Sequence, residues 1–119
     1  MSVKELLIDT LENAFELPIY LQGSMSEDEK YPDDFFTFFN NDSFDANFFD
    51  DHETVTVWDF DLNFYSNDPE HVNEYLMKAK RELKKVGFTC DGAGYDLVSD
   101  EPTHTGRGIN VNYIEKVRY

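Results

Sequence analysis

Cysteine is nearly absent from this chain: Cys90 stands alone, so no internal disulfide, zinc knuckle or redox pair can form, and a reducing cytosol suits it. Basic residues are scarce as well, ten against 25 acidic ones, which leaves a formal net charge of −15. That balance counts against a protein that grips phosphate backbones. No apolar run approaches the roughly 18 residues a membrane span requires. The start, Met1-Ser2-Val3-Lys4-Glu5, lacks the basic-then-apolar pattern of a signal peptide, so the product is expected to stay soluble where it is made. No internal repeat or proline-rich linker interrupts the sequence, and 119 residues suit a single domain, 1–119, with one core.

What is present is unevenly distributed. From Glu27 to Asp61 there are twelve acidic residues and one basic residue, Lys30, whereas Lys78, Lys80, Arg81, Lys84 and Lys85 fall within eight positions. Such polarity favours head-to-tail contact between unlike patches of identical subunits, a geometry that can close into a ring. An acidic face that only keeps a monomer soluble is the plainer reading of the same charges.

Periodicity outlines an α+β fold. Ser2 and Glu5 form a capping box before Val3, Leu6, Leu7, Leu11, Ala14 and Phe15, which predicts a helix from Val3 to Phe15. Leu17-Pro18 ends it, and Ile19-Tyr20-Leu21 reads as a short strand. The stretch 24–53 is acidic and Phe-rich: Phe35 to Phe39 reads as a strand, and Asn40 to Asp51 as a loop whose Phe44, Phe48 and Phe49 tuck onto the core or wait for a partner. Thr54 to Tyr65 is the clearest strand, with Trp58, Phe60, Leu62 and Phe64 on one face and Asp59, Asp61 and Asn63 on the other. Val55 and Val57 break that alternation, which predicts either a bulge or an end covered on both sides. At about 3.3 Å per residue this strand reaches roughly 40 Å, long enough to project as an arm. Asp68-Pro69 caps a second helix along Val72, Tyr75, Leu76, Ala79, Leu83 and Val86, stopped by Gly87. Strand pieces at Phe88–Cys90 and Tyr95–Val98 and a last strand through Ile109, Val111 and Tyr113 complete the order α-β-β-β-α-β-β. The expected sheet is mixed or antiparallel, of four to five strands, against two helices.

No constellation carries catalytic chemistry, so no catalytic, cofactor or metal residue is assigned and the chain is read as a non-enzyme. Asp59-Phe60-Asp61 resembles a metal-holding aspartate pair, but two carboxylates at i and i+2 merely share a strand face. His52, His71 and His104 lack the spacing that puts two on one helix face. Asp42, Asp45, Asp50 and Asp51 lack the glycine and terminal glutamate of a calcium loop. Gly92-Ala93-Gly94 has neither a following helix nor the lysine of a phosphate loop. Cys90 reads as a small buried strand residue. In Ser99 to Gly108, read as a shaped loop, Arg107 is placed to form a bidentate pair with a carboxylate of the same or a neighbouring chain.

Several features together are similar to a family of long-tailed bacteriophage proteins, the tail terminators or tail-to-head joining (tail completion) proteins. They are the N-terminal helix, the Leu17-Pro18-Ile19-Tyr20-Leu21-Gln22-Gly23 strand, the acidic Tyr31-Pro32 to Phe39 segment, the Trp58-bearing strand, Ser66-Asn67-Asp68-Pro69 at the second helix, and Thr103-His104-Thr105-Gly106-Arg107 before a closing strand. The resemblance spans most of the chain. It implies a subunit made in the host bacterial cytoplasm that forms a ring, typically a hexamer, at the head-proximal end of the tail in the virion. There it stops tube polymerisation and docks to the head connector, its partners being its own copies, the tail tube protein and the connector. An acidic lumen that repels passing DNA fits the composition. The interface residues expected are Asp59 and Asp61, Lys80, Arg81 and Lys84, Arg107, and Phe44, Phe48 and Phe49. A DNA-mimic inhibitor of a basic nucleic-acid-binding protein is the alternative, sharing charge and size; a small enzyme would need convergent titratable groups that the sequence does not show.

Overall fold

A computed structural model describes residues 2–21, 31–47, 53–99 and 101–118. Its elements run α1 (Val3–Phe15), β1 (Ile19–Leu21), β2 (Asp34–Asn47), β3 (Glu53–Ser66), α2 (Pro69–Lys85), β4 (Thr89–Cys90), β5 (Tyr95–Leu97) and β6 (Thr105–Arg118). The fold is α+β, with a mixed sheet of six strands instead of four to five. The order is β1-β2-β3-β6-β4, with β5 also against β6; β1 pairs with β2 in parallel and every other pairing is antiparallel.

The helices begin and end where local chemistry dictates. Ser2 Oγ accepts from Glu5 N at 3.1 Å, and α1 stops at Glu16, which adopts a left-handed conformation with φ 55°. Asp68 Oδ1 accepts from Glu70 N at 3.0 Å, Pro69 occupies the first turn, and Gly87 follows the helix at φ 108°. Val3, Leu7 and Leu11 of α1 and Leu76, Ala79 and Leu83 of α2 bury against Phe36, Phe38, Phe60, Leu62, Phe64, Ile109 and Val111 of the sheet. Both helices thus cover one sheet face, the face of the even-numbered residues of β3.

Four corrections follow from the pairing. The segment 40–47, expected as a loop, continues β2, because Asp42 to Asn47 pair in register with Asp59 to Thr54. Backbone pairing there overrides the weak strand preference of Asn, Asp and Ser. Of the two explanations offered for Val55 and Val57, a bulge in β3 is excluded, since β3 keeps one unbroken register with β6 from Glu53 to Ser66; the bulge lies in β2, between Asn40 and Asp42. Nor does β3 project as an arm: it is the central strand, paired with β6 from Glu53 to Ser66 and with β2 from Thr54 to Ser66. Finally, Thr105 to Gly108 belong to β6 and not to the preceding loop, opposite Ser66 to Asn63.

Candidate functional site

The sheet face away from the helices carries the odd-numbered residues of β3. At one end it is roofed by rings. Phe35 stacks on Tyr65 with centroids 5.4 Å apart, and Tyr31 and Tyr20 meet Phe35 edge-on at 5.2 and 6.0 Å. His104 is buried beside them; its Nε2 lies 2.8 Å from the Pro32 carbonyl, to which it donates, and Nδ1 lies 2.8 Å from Thr103 Oγ1, from which it accepts. The bond to Pro32 pins the 101–104 turn over the sheet.

In the middle of the same face lies a polar strip. Asp59 and Asp61 of β3 are half-buried, opposite Asn112 and Asn110 of β6. Asn110 Nδ2 donates to Asp59 Oδ1 at 2.5 Å and, at 3.3 Å each, to Asp61 Oδ1 and the Phe60 carbonyl. Asn112 Nδ2 in turn donates to Asn110 Oδ1 at 3.0 Å, which fixes the orientation of the Asn110 amide. From β5 Tyr95 lies beside this strip. Burial, then the Asp61 charge, then the Asp59 charge, raise its phenol above the ordinary 10.0. Asn63, the next residue along, is 5% exposed; its Nδ2 donates to Thr37 Oγ1 at 3.4 Å, and its buried Oδ1 has no hydrogen-bond partner. Amides therefore hold an acceptor-rich strip in place.

The basic residues sit on the opposite layer. Arg81 and Lys84 project from the exposed side of α2, and Lys80 Nζ donates to the Gly92 carbonyl at 2.5 Å. Arg107 is committed within the chain: Nε donates to the Ala93 carbonyl at 3.0 Å, Nη2 to the Gly94 carbonyl at 3.2 Å and Nη1 to Asp96 at 2.5 Å. Its carboxylate contact is a single bond on the same chain, and its role there is to tie the 91–94 turn and β5 to β6. Phe44 has a ladder position opposite Val57, and Phe48 and Phe49 lie outside the described residues.

Structure therefore brings Asp59 and Asp61 together, keeps Lys80, Arg81 and Lys84 apart from them, and brings Arg107 to the same 92–94 turn as Lys80. Sequence reasoning did not single out Asn63, Tyr95, Asn110 or Asn112. The available signal was Gly106-x-Gly108: glycines inside a strand mark places where something crosses the sheet closely. The Tyr65 ring crosses Gly106, and the Tyr95 ring crosses Gly108.

Elsewhere, Cys90 is buried and unpaired. Burial raises its thiol above the ordinary 9.0, an effect that Lys84 and Lys80 partly offset. Clefts of about 330 Å³ beside Val3, Leu6 and Tyr113 and about 350 Å³ beside Phe15, Tyr75 and Arg81 flank α1. Among the described residues no group of three His, Cys, Asp or Glu side chains is placed to hold a metal, and no helix is long and apolar enough to cross a membrane. Comparison with models of known protein families gives no match, and comparison with curated proteins gives none either.

Proposed function

We propose that this chain is a tail-assembly subunit of a long-tailed phage, a tail terminator or tail-to-head joining protein that caps the tail tube as a ring and docks to the head connector. One observation carries the reading beyond the sequence resemblance: unlike charges occupy opposite layers of one thin domain, Asp59 and Asp61 on the open sheet face and Arg81 and Lys84 on the outer side of α2. A surface that complements the opposite layer of its own copy makes heterologous contacts, which close into a ring when the rotation between neighbours allows it. Carboxylates left facing the lumen repel DNA phosphates, so that DNA passes without sticking.

The test is to mix purified protein with tail tubes of the encoding phage, sediment the tubes and view their ends by negative stain. Rings on tube ends, lost with an Asp59→Asn/Asp61→Asn double variant and with Lys84→Glu, are the expected result. No association with tubes at any salt concentration overturns the reading. Salt-sensitive capture of a basic nucleic-acid-binding protein would replace it with the acidic-inhibitor function.

A further inference from the structure

We propose that Tyr95 caps a receptor for an arginine side chain of a second copy of this chain, and that Arg81 is the arginine received. This rests on the ring reading above and names the contact through which neighbours would join.

The receptor is bounded by three strands. Gly108 of β6 lies between Asn63 of β3 and Tyr95 of β5 in the ladder. A methyl group added at Gly108 would sit 2.5 Å from Asn63 Oδ1 and 2.9 Å from Tyr95 Cε2. The ring and the amide oxygen thus share the space a side chain would otherwise fill. Asn63 Oδ1 is a buried acceptor with no donor, and Asp61 on the same strand face has no cationic partner among the described residues. Removing the Tyr95 ring from above them uncovers a carboxylate and an amide oxygen on a glycine floor, all acceptors. A carboxylate cluster alone would be a solvated patch; the orphaned Asn63 oxygen beside it is what marks a place for a donor.

A guanidinium answers that description better than the other cations. It offers five N–H donors and no acceptor, it reaches two acceptors at once, and its flat face stacks on a tyrosine ring. An ammonium offers a point charge without the flat face. Tyr95 is free to give way, because β5 has three residues and pairs on one side only, with β6, and the residue is 44% exposed. The incoming arginine would bring Asp61 a charge-assisted hydrogen bond.

Of the two arginines whose side chains are described, Arg107 is already bonded to two carbonyls and Asp96. Arg81 is exposed on α2 and makes no hydrogen bond or ion pair among the described residues. It projects from the layer opposite Tyr95, so one chain cannot satisfy its own receptor, and the contact has to pass between copies.

Cross-linking reads this contact directly. A Cys90→Ala/Tyr95→Cys/Arg81→Cys variant, oxidised on tail tubes and also alone at high concentration, should give a ladder of disulfide-linked oligomers on a denaturing gel; each variant lacking one of the two new cysteines should stop at the dimer or monomer. In parallel, Asp61→Arg and Arg81→Asp should each weaken self-association by about tenfold or more, and the double reversal should restore it. Circular dichroism identifies a variant that fails to fold, and Asp61→Asn then supplies the milder receptor lesion. Rings on tubes without a ladder would overturn the arginine receptor and leave the tail reading standing. A ladder in free protein that never binds tubes would uphold the receptor and overturn the tail reading. Monomers in both settings would overturn both.

Discussion

The two faces of this sheet are built from the same three long strands and are held by different physics. On the helix side every large side chain of the centre is apolar and fully buried: Phe36, Phe60, Leu62 and Phe64 from β2 and β3, Leu7, Leu11, Leu76 and Leu83 from the helices. On the other side the same strands present Asp59, Asp61, Asn63, Asn110 and Asn112, joined by hydrogen bonds among amides and carboxylates. Apolar burial is non-directional and roughly additive in area, so the first face supplies stability. Half-buried carboxylates gain little for the monomer, and under the proposed function they serve contact between copies. Substitutions on the two faces should therefore separate stability from association.

The largest effect is expected in the helix-covered core. Leu76 is fully buried at the centre of α2, and Leu76→Ala should cost about 2–5 kcal/mol through lost burial and the cavity left behind. Urea denaturation followed by circular dichroism reads it. A loss below about 1 kcal/mol would mean that α2 is not the main source of stability and would break the comparison.

Next in size is Gly94, where β5 leaves the turn. Its φ is 85°, and an added Cβ would run into the carbonyl oxygen of Gly108. Gly94→Ala should cost about 1–3 kcal/mol from strain and should also shift Tyr95, which follows directly. Gly92, at φ 72° with open space around it, should suffer less from the same change, and that difference in urea midpoints sharpens the point that close approach of backbone, beyond φ alone, holds β5 to β6.

On the open face the sign reverses. Asp59→Asn removes one of two neighbouring carboxylates and should leave stability within about 0.5 kcal/mol of wild type or raise it slightly, while weakening ring formation on tubes. Tyr95 gives this face a pH signature. Burial and the Asp61 and Asp59 charges raise its folded-state phenol above 10.0, so the unfolded chain ionises first. The stability tied to this phenol is complete below the unfolded value and lost as pH rises from there through the folded one. Tyr95→Phe should flatten that alkaline limb in thermal melts, and an unchanged limb would remove Tyr95 from the Asp61 network.

How much of this was legible in the sequence follows the same division. Alternation along β3 displayed both faces, and Ser2, Asp68 and Gly87 marked helix ends that the structure keeps. Those signals are local. The extension of β2 through Asn47 was hidden because Asn40 to Asp45 have turn chemistry, and only pairing with β3 makes them a strand. The start of β6 was hidden for a related reason: Gly106 and Gly108 read as loop residues until Tyr65 and Tyr95 are seen crossing them. Asp59 and Asp61 could be named in advance, whereas Asn110 and Tyr95 approach them only through a register set far along the chain. Arg107 was recognisable as a bidentate donor, yet nothing local revealed that the 91–94 turn would claim it.

The smallest expected effect tests how α1 is held. No basic residue occupies its last turn, so the carbonyls at that helix end have no local counter-charge. Lys78 of α2 supplies one from outside: Nζ donates to the Ala14 carbonyl at 3.2 Å and stands 4.8 Å from the centre of the Phe15 ring. Lys78→Met keeps the stem packed on Phe15 and removes the charge, so it should cost about 0.5–1 kcal/mol, a loss that shrinks at high salt. Urea midpoints at low and high salt measure both. A salt-independent loss as large as that of Leu76→Ala would show that the lysine, and not Val3, Leu7 and Leu11 in the core, fastens α1 to the sheet, and the division between an apolar face that stabilises and a polar face that recognises would no longer hold.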